Sequence, residues 1–396
     1  MHNILTTKRV LSIDTFRGIT ILVMIFVNEL AGVRNIPAWM KHMPADADAM
    51  TFVDVVFPAF LFIVGMSIPF AILNRKNKGD TTWQIQTHIL VRTVGLLVLG
   101  VFMVNAEGGY NEKAMGMSIG LWLLIFYACV ILVWNVYSFE AKWIANVLRA
   151  LGIIGLISLA MVYRAGESGE EGLTPQWWGI LGLIGWAYFI SCILYQALRG
   201  NKIMIFTAAI GCLAWYMIGS QAGSSSVVIQ WMGAQKGHAA HTFIVLSGIV
   251  LSLIFFVDGG NRTGKRRFTE ALALAILFFV AGITLRPYYP VSKIYATPTW
   301  CLFSATVCTL IFSLLYWIID LQKANRWVTF FKPAASNPLL TYIIPFIIYA
   351  ALMVGHVKLP EAFHNGAGGI IWSLVFAISV MAFVILLNKA KIRLQL

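Results

Sequence analysis

Ionisable groups inside long apolar runs are costly in hydrocarbon, so those that occur there are candidates for function. Asp14 and Arg17 stand three residues apart in the first apolar run, hence on one helix face. A simple ion pair at the start of a helix accounts for them as well. Asn28 and Glu29 close the same run. They lie about 21 Å from Asp14 at 1.5 Å per residue. Arg92 stands early in the third apolar run. Asp54 opens the second, just ahead of Phe57-Pro58, where the helix dipole by itself favours a carboxylate. Between the first two runs lies His42. An imidazole with an accessible nitrogen is a base or nucleophile near neutral pH. A loop histidine taken alone is more often inert, so His42 gains weight only from its neighbours.

Other patterns carry less. His238 and His241 are three apart and compatible with one helix face, but no HExxH appears, and no metal is expected. Cys129, Cys192, Cys212, Cys301 and Cys308 all fall in apolar runs without CxxC spacing, which reads as small core hydrophobes. Gly259–Lys265 has P-loop spacing. Arg266 stands where Ser or Thr should bind magnesium, and the stretch follows an apolar span, not a strand. The sequon Asn261-Arg262-Thr263 in the same loop falls on the inner side of the expected topology, where it cannot be glycosylated.

The elements that must position these residues follow from composition. Of 396 residues, 59% are hydrophobic and 11% charged, against roughly 25% charged in a soluble domain. That excludes a soluble protein, and the hydrophobicity excludes disorder. The net charge of +13 is scattered between apolar runs. It does not form the basic face of a nucleic-acid binder. Spans need about 20 apolar residues. The sequence offers twelve: 11–31, 53–73, 85–105, 118–137, 143–163, 176–198, 203–220, 240–257, 269–286, 298–319, 338–356 and 367–388. The first is too long for a signal-peptide core and reads as a transmembrane helix. With the N-terminus inside, inner segments carry eighteen Lys and Arg and outer segments eight, as the positive-inside rule requires. The expectation is an all-α polytopic bundle of about twelve (10–12) helices, N-in and C-in, in the lipid bilayer.

A twelve-span chain of this topology could be a secondary transporter of a sugar or similar small solute. Transporters place broken helices at related positions in two halves, and Pro58, Pro69 and Pro345 form no such pair. Gly116-x-x-x-Gly120 is a helix-packing signal, and a homo-oligomer is allowed.

Ser12-Ile13-Asp14-Thr15-Phe16-Arg17-Gly18, followed by Phe26-Val27-Asn28, resembles the opening of the heparan-α-glucosaminide N-acetyltransferase family. Thr51–Phe62, reading TFVDVVFPAFLF, with Gly65 beyond it, resembles the same family. The similarity is strong over 9–70 and looser at Arg92 to Gly100, Thr297–Trp300, and Ser336-Asn337 with Tyr342. Met43–Met50 is longer than the family pattern, and Asp46 and Asp48 replace its aromatic. The large lumenal domain of animal members has no counterpart, so the resemblance is to a bacterial-type member in the cytoplasmic (inner) membrane.

The resemblance implies a single transmembrane acyltransferase domain over 1–396. Such an enzyme takes acetyl from cytosolic acetyl-CoA and delivers it to the amine of a glucosamine-type sugar on the other side. His42 falls where the family has its catalytic histidine, as base or acetyl carrier. Asn28 is expected to donate to the oxyanion or orient the imidazole. Asp54 is expected to hold the histidine tautomer or bind sugar hydroxyls. Arg17 and Arg92 suit the CoA phosphates, with Asp14 orienting Arg17. Asp46, Asp48, Asn337 and Tyr342 are expected to border the acceptor.

Overall fold

The computed structural model describes residues 10–221, 225–258 and 264–396, with the backbone of residues 4–5. The loop residues 259–263, with the P-loop-like glycines and the sequon, lie outside the described residues.

Among the described residues, ten helices are long and apolar enough to cross a membrane: α1 (Leu11–Leu30), α2 (Val53–Asn77), α3 (Thr82–Asn105), α5 (Lys142–Val162), α6 (Ile180–Ala197), α7 (Lys202–Gly219), α8 (Lys236–Phe256), α9 (Gly264–Leu285), α10 (Pro298–Leu321) and α12 (Gly366–Lys389). Two expected spans are shorter apolar helices, α4 (Ile119–Trp134) and α11 (Pro338–Val354). The Ser118 side chain caps the start of α4, and Asn135 turns the backbone extended at its end. At 16 residues, α4 is about 24 Å long, under the roughly 30 Å of a bilayer core. This is the architecture of an integral, polytopic membrane protein. The last turns of α10, Trp317–Leu321, widen into a π-helix.

Some boundaries move. Helix α8 begins at Lys236, four residues before the expected 240, so His238 joins His241 within it. Helix α2 runs unbroken through Pro58 and Pro69. Gly116 is not on a helix shared with Gly120. It adopts a left-handed φ of 67° and ends the short helix Glu112–Met115, so the expected packing motif is not formed. Among the described residues, the all-α class has one small exception, an antiparallel pairing of β1 (Ile4–Leu5) with β2 (Val257–Asp258).

The described chain divides into two compact units. The first comprises 1–20, 37–93 and 183–329. Helix α8 is its core, buried along nearly its whole length and packed by α2, α7 and α10. Helices α2 and α8 meet backbone to backbone. A Cβ on Gly65 would collide with the Val245 carbonyl, and one on Gly248 with that of Phe62. Small residues permit such approach where lipid supplies no hydrophobic drive. Phe255, Phe256, Phe312 and Tyr316 cluster beneath this crossing, with Phe255 and Tyr316 centroids 4.7 Å apart.

The second unit comprises 21–36, 94–182 and 330–396, with α4, α5, α11 and α12. Trp122 is fully buried and stacked with Phe102 and Phe126. Its indole N–H donates to the Leu159 carbonyl at 3.1 Å, meeting the need of a buried indole for a partner.

Candidate active site

In the first unit, Thr51-x-x-Asp54 starts α2 and gathers the loop before it. The Asp54 carboxylate accepts from the Thr51 N–H at 3.0 Å, and Val53 N–H donates to Thr51 Oγ1 at 3.2 Å. These bonds occupy backbone donors that a helix start leaves open. Thr51 Oγ1 also donates to the Lys41 carbonyl at 2.9 Å, drawing the loop onto the helix end. Trp300 of α10, fully buried, donates its indole N–H to the Asp54 carbonyl at 3.1 Å.

His42 is thereby set against Asp54, with Nδ1 and Oδ1 2.7 Å apart. The Asp54 side chain is 1% exposed, whereas that of His42 is 37% exposed. A buried carboxylate bonded to Nδ1 holds the proton there and leaves Nε2 as the basic nitrogen. Met43 N–H adds a further bond to Asp54 Oδ2 at 3.3 Å.

A second loop, between α9 and α10, closes on the first. Arg286 Nε lies 3.2 Å from both Asp48 carboxylate oxygens, and its Nη2 donates to the Asp48 carbonyl at 3.0 Å. Val291 N–H donates to Asp48 Oδ1 at 2.8 Å. That bond, with the Arg286 guanidinium behind it, holds the Asp48 carboxyl below its ordinary value against the effect of burial. Asp48 has a φ of 41°, a conformation that costs a non-glycine residue, and the clamp supports it. Within the second loop, Ser292 N–H donates to Thr297 Oγ1 and Ala296 N–H to the Lys293 carbonyl. The result is a short knot that presents Lys293. Its Nζ lies 3.1 Å from His42 Nε2 and 3.2 Å from Nδ1. Burial lowers the Lys293 pKa below its ordinary value, opposed by the Asp54 charge. Asp46 is exposed in the first loop.

Asp14 and Arg17 pair as their spacing implies, at 3.2 Å. Arg17 also donates to Ser67 Oγ of α2 at 2.6 Å. Arg92 is held differently. Its guanidinium lies 4.7 Å above the Tyr188 ring centroid, and its buried Nε has no hydrogen-bond partner.

In the second unit, Asn28 faces a cavity of about 330 Å³ shared with Glu107, Trp178 and Tyr342. A smaller hollow of about 130 Å³ joins Asn28, Glu29, Tyr342 and Tyr349. Asn28 and Tyr342, 314 positions apart in sequence, thus line the same spaces. Burial raises the Glu107 carboxyl above its ordinary value. Glu29 accepts from the Tyr349 hydroxyl and from the Trp372 indole N–H. Asn337 does not line these cavities. It is fully buried, and its amide bonds to Asn388, the Ile392 carbonyl and Leu394 N–H. All of its amide bonds go to the end of α12 and the segment that follows.

His241 is buried edge-on to Phe57 and Trp300. Among the described residues, no three His, Cys, Asp or Glu gather to hold a metal ion. The five cysteines are free, four of them buried.

Sequence reasoning missed Lys293 and Glu107. Lys293 enters only as one of the eight outer Lys and Arg, and no motif ties it to a histidine 251 residues earlier.

The family model DUF5009, a domain of unknown function, matches residues 9–257. The heparan-α-glucosaminide N-acetyltransferase of Homo sapiens is 36% identical over 98 residues, 24% of this chain and 14% of that protein. The enzyme of the same name from Mus musculus is 33% identical over 101 residues, 25% of this chain and 14% of that protein. The matched stretch is therefore a small part of each relative's length. Because the family model covers more than half of the sequence, this membrane protein belongs to the DUF5009 family.

Proposed function

We propose that the chain is a transmembrane N-acetyltransferase. It moves an acetyl group from cytoplasmic acetyl-CoA to the amine of a glucosamine-type sugar on the outer side of a bacterial cytoplasmic membrane. The observation that carries this reading is the 2.7 Å bond between His42 Nδ1 and the buried Asp54 carboxylate. It leaves Nε2 as a base, in a chain with partial similarity to named N-acetyltransferases. Residues 1–396 act as one acyltransferase domain, N-in and C-in, in this proposal.

Forming an amide from an amine and a thioester requires removal of a proton from nitrogen and stabilisation of an oxyanion. His42 Nε2 takes the proton or the acetyl group, and Asp54 holds the opposite nitrogen and stabilises the imidazolium. Within the second unit's own cavity, the Asn28 amide is the candidate oxyanion donor and Tyr342 the candidate contact for the acyl chain or sugar. Asp46 lies on the acceptor side, and Asp48 shapes that side through its clamp on Arg286. Of the two candidates for CoA phosphates, Arg92 has the buried, unpartnered Nε, while Arg17 is already bonded to Asp14 and Ser67. Arg92 is therefore the principal phosphate contact, with Asp14 and Arg17 shaping the donor side.

The test is transfer from labelled acetyl-CoA to a panel of amino sugars by purified full-length chain in detergent or nanodiscs. N-acetylglucosamine should form, and His42→Ala should abolish it. Unchanged turnover in that variant removes His42 from the mechanism. Solute flux in proteoliposomes without an acyl donor would instead support a transporter.

A further inference from the structure

The amine of Lys293 lies beside the His42 imidazole, where the reading above brings an acceptor amine. Its Nζ lies against the imidazole, 3.1 Å from His42 Nε2 and 3.2 Å from Nδ1, within the roughly 3–3.5 Å at which groups are close enough to react. The position is held from several directions. The Ser292–Thr297 knot fixes the backbone around Lys293, and the Asp48–Arg286–Val291 clamp fixes that loop to the His42 loop. The charged groups facing His42 are Asp54 from α2 and Lys293 from this loop. Burial shifts Lys293 toward its neutral, nucleophilic form.

We propose that Lys293 is a self-acetylation site, served by His42 and taking an activated acetyl donor. It rests on the reading above for acetyl-CoA as the donor and His42 as the base. In the step, the acetyl carbon loses its bond to sulfur and gains one to Nζ. The lysine ammonium releases two protons, one to solvent and one through His42 Nε2 to the departing thiolate. The products are Nε-acetyl-lysine and free CoA thiol. Acetylation removes a cation beside the imidazole and fills the acceptor's place with a neutral amide. The chain would thus silence itself when the donor is abundant and acceptor is scarce.

The experiment is peptide mass spectrometry of full-length chain incubated without amino sugar. One arm uses acetyl-CoA and another p-nitrophenyl acetate. Lys293 should acquire acetyl about tenfold or more faster than the exposed Lys113 and Lys358, as expected for an amine held at a reactive site. His42→Gln, which keeps a polar side chain of similar reach, and His42→Ala should both bring Lys293 down to the rate of those lysines. Glucosamine should slow labelling of Lys293 and leave Lys113 unchanged. Labelling by the ester but not by acetyl-CoA keeps the site and overturns the acetyl-CoA reading. Equal labelling of all three lysines from both donors, or Lys293 labelling indifferent to His42, overturns the proposal.

Discussion

The two compact units use their polar residues in opposite ways. In the first, His42 touches both Asp54 and Lys293, Thr51 and Trp300 bond Asp54, and the Asp48–Arg286 pair ties the two loops together. In the second, Asn28, Glu107 and Tyr342 line space and share a cavity. A contact network tunes the reactivity of one group, because neighbours at hydrogen-bond distance decide where a proton sits. A lined cavity selects what fits, because a few polar groups in apolar walls orient a guest. Variants in the first region should therefore change the rate at saturation. Those in the second should act partly through binding.

The largest separation should come from Asp54→Asn. Losing the buried carboxylate behind the imidazole should lower kcat for acetyl transfer by about 10²- to 10⁴-fold with little change in KM. An equal rise in KM would make Asp54 a sugar ligand and blur the contrast. Asn28→Ala comes next. If its amide meets an oxyanion, kcat should fall by about 10²-fold, and a pure KM effect would assign it to the cavity wall. Tyr342→Phe removes one hydroxyl from the cavity and should raise KM by about two- to tenfold, the worth of one hydrogen bond. A loss of kcat alone would move Tyr342 into the reacting group.

The smallest effect concerns Asp48. Its carboxyl is held below its ordinary value when folded, so its contribution is present above the unfolded carboxylate pKa and is lost as pH falls through the folded one. The pair with Arg286 is about half exposed, so Asp48→Asn should cost less than about 1 kcal/mol of stability near neutral pH. Thermal unfolding of wild type and variant should converge in acid. A gap that persists there would show that Asp48 acts through its strained backbone and not its charge.

Much of the first region was legible before the structure. Asp14 and Arg17 pair because three residues along a helix return to one face. Asp54 opens a helix, where the dipole favours a carboxylate, and there it takes up the Thr51 N–H. The near bond from Asp54 to His42 spans only twelve residues. Asn337 was less transparent. The family resemblance implied an acceptor contact, whereas the chain end folds over it and takes up its amide. The Gly116 and Gly120 spacing likewise misled, since a left-handed turn separates the two.

By itself the sequence determined that this is a membrane protein built of apolar helices, and that His42 stands between two spans rich in polar groups. Hydropathy and helix geometry are local properties, written in stretches of about 20 residues. Only the tertiary structure decided that Lys293 meets His42, that Arg286 clamps Asp48, and that Asn28 shares a cavity with Tyr342. Those partners lie more than 230 positions apart in sequence. Their meeting depends on how helices pack, as through the backbone contacts at Gly65 and Gly248 in the first unit. No periodicity or spacing records that packing.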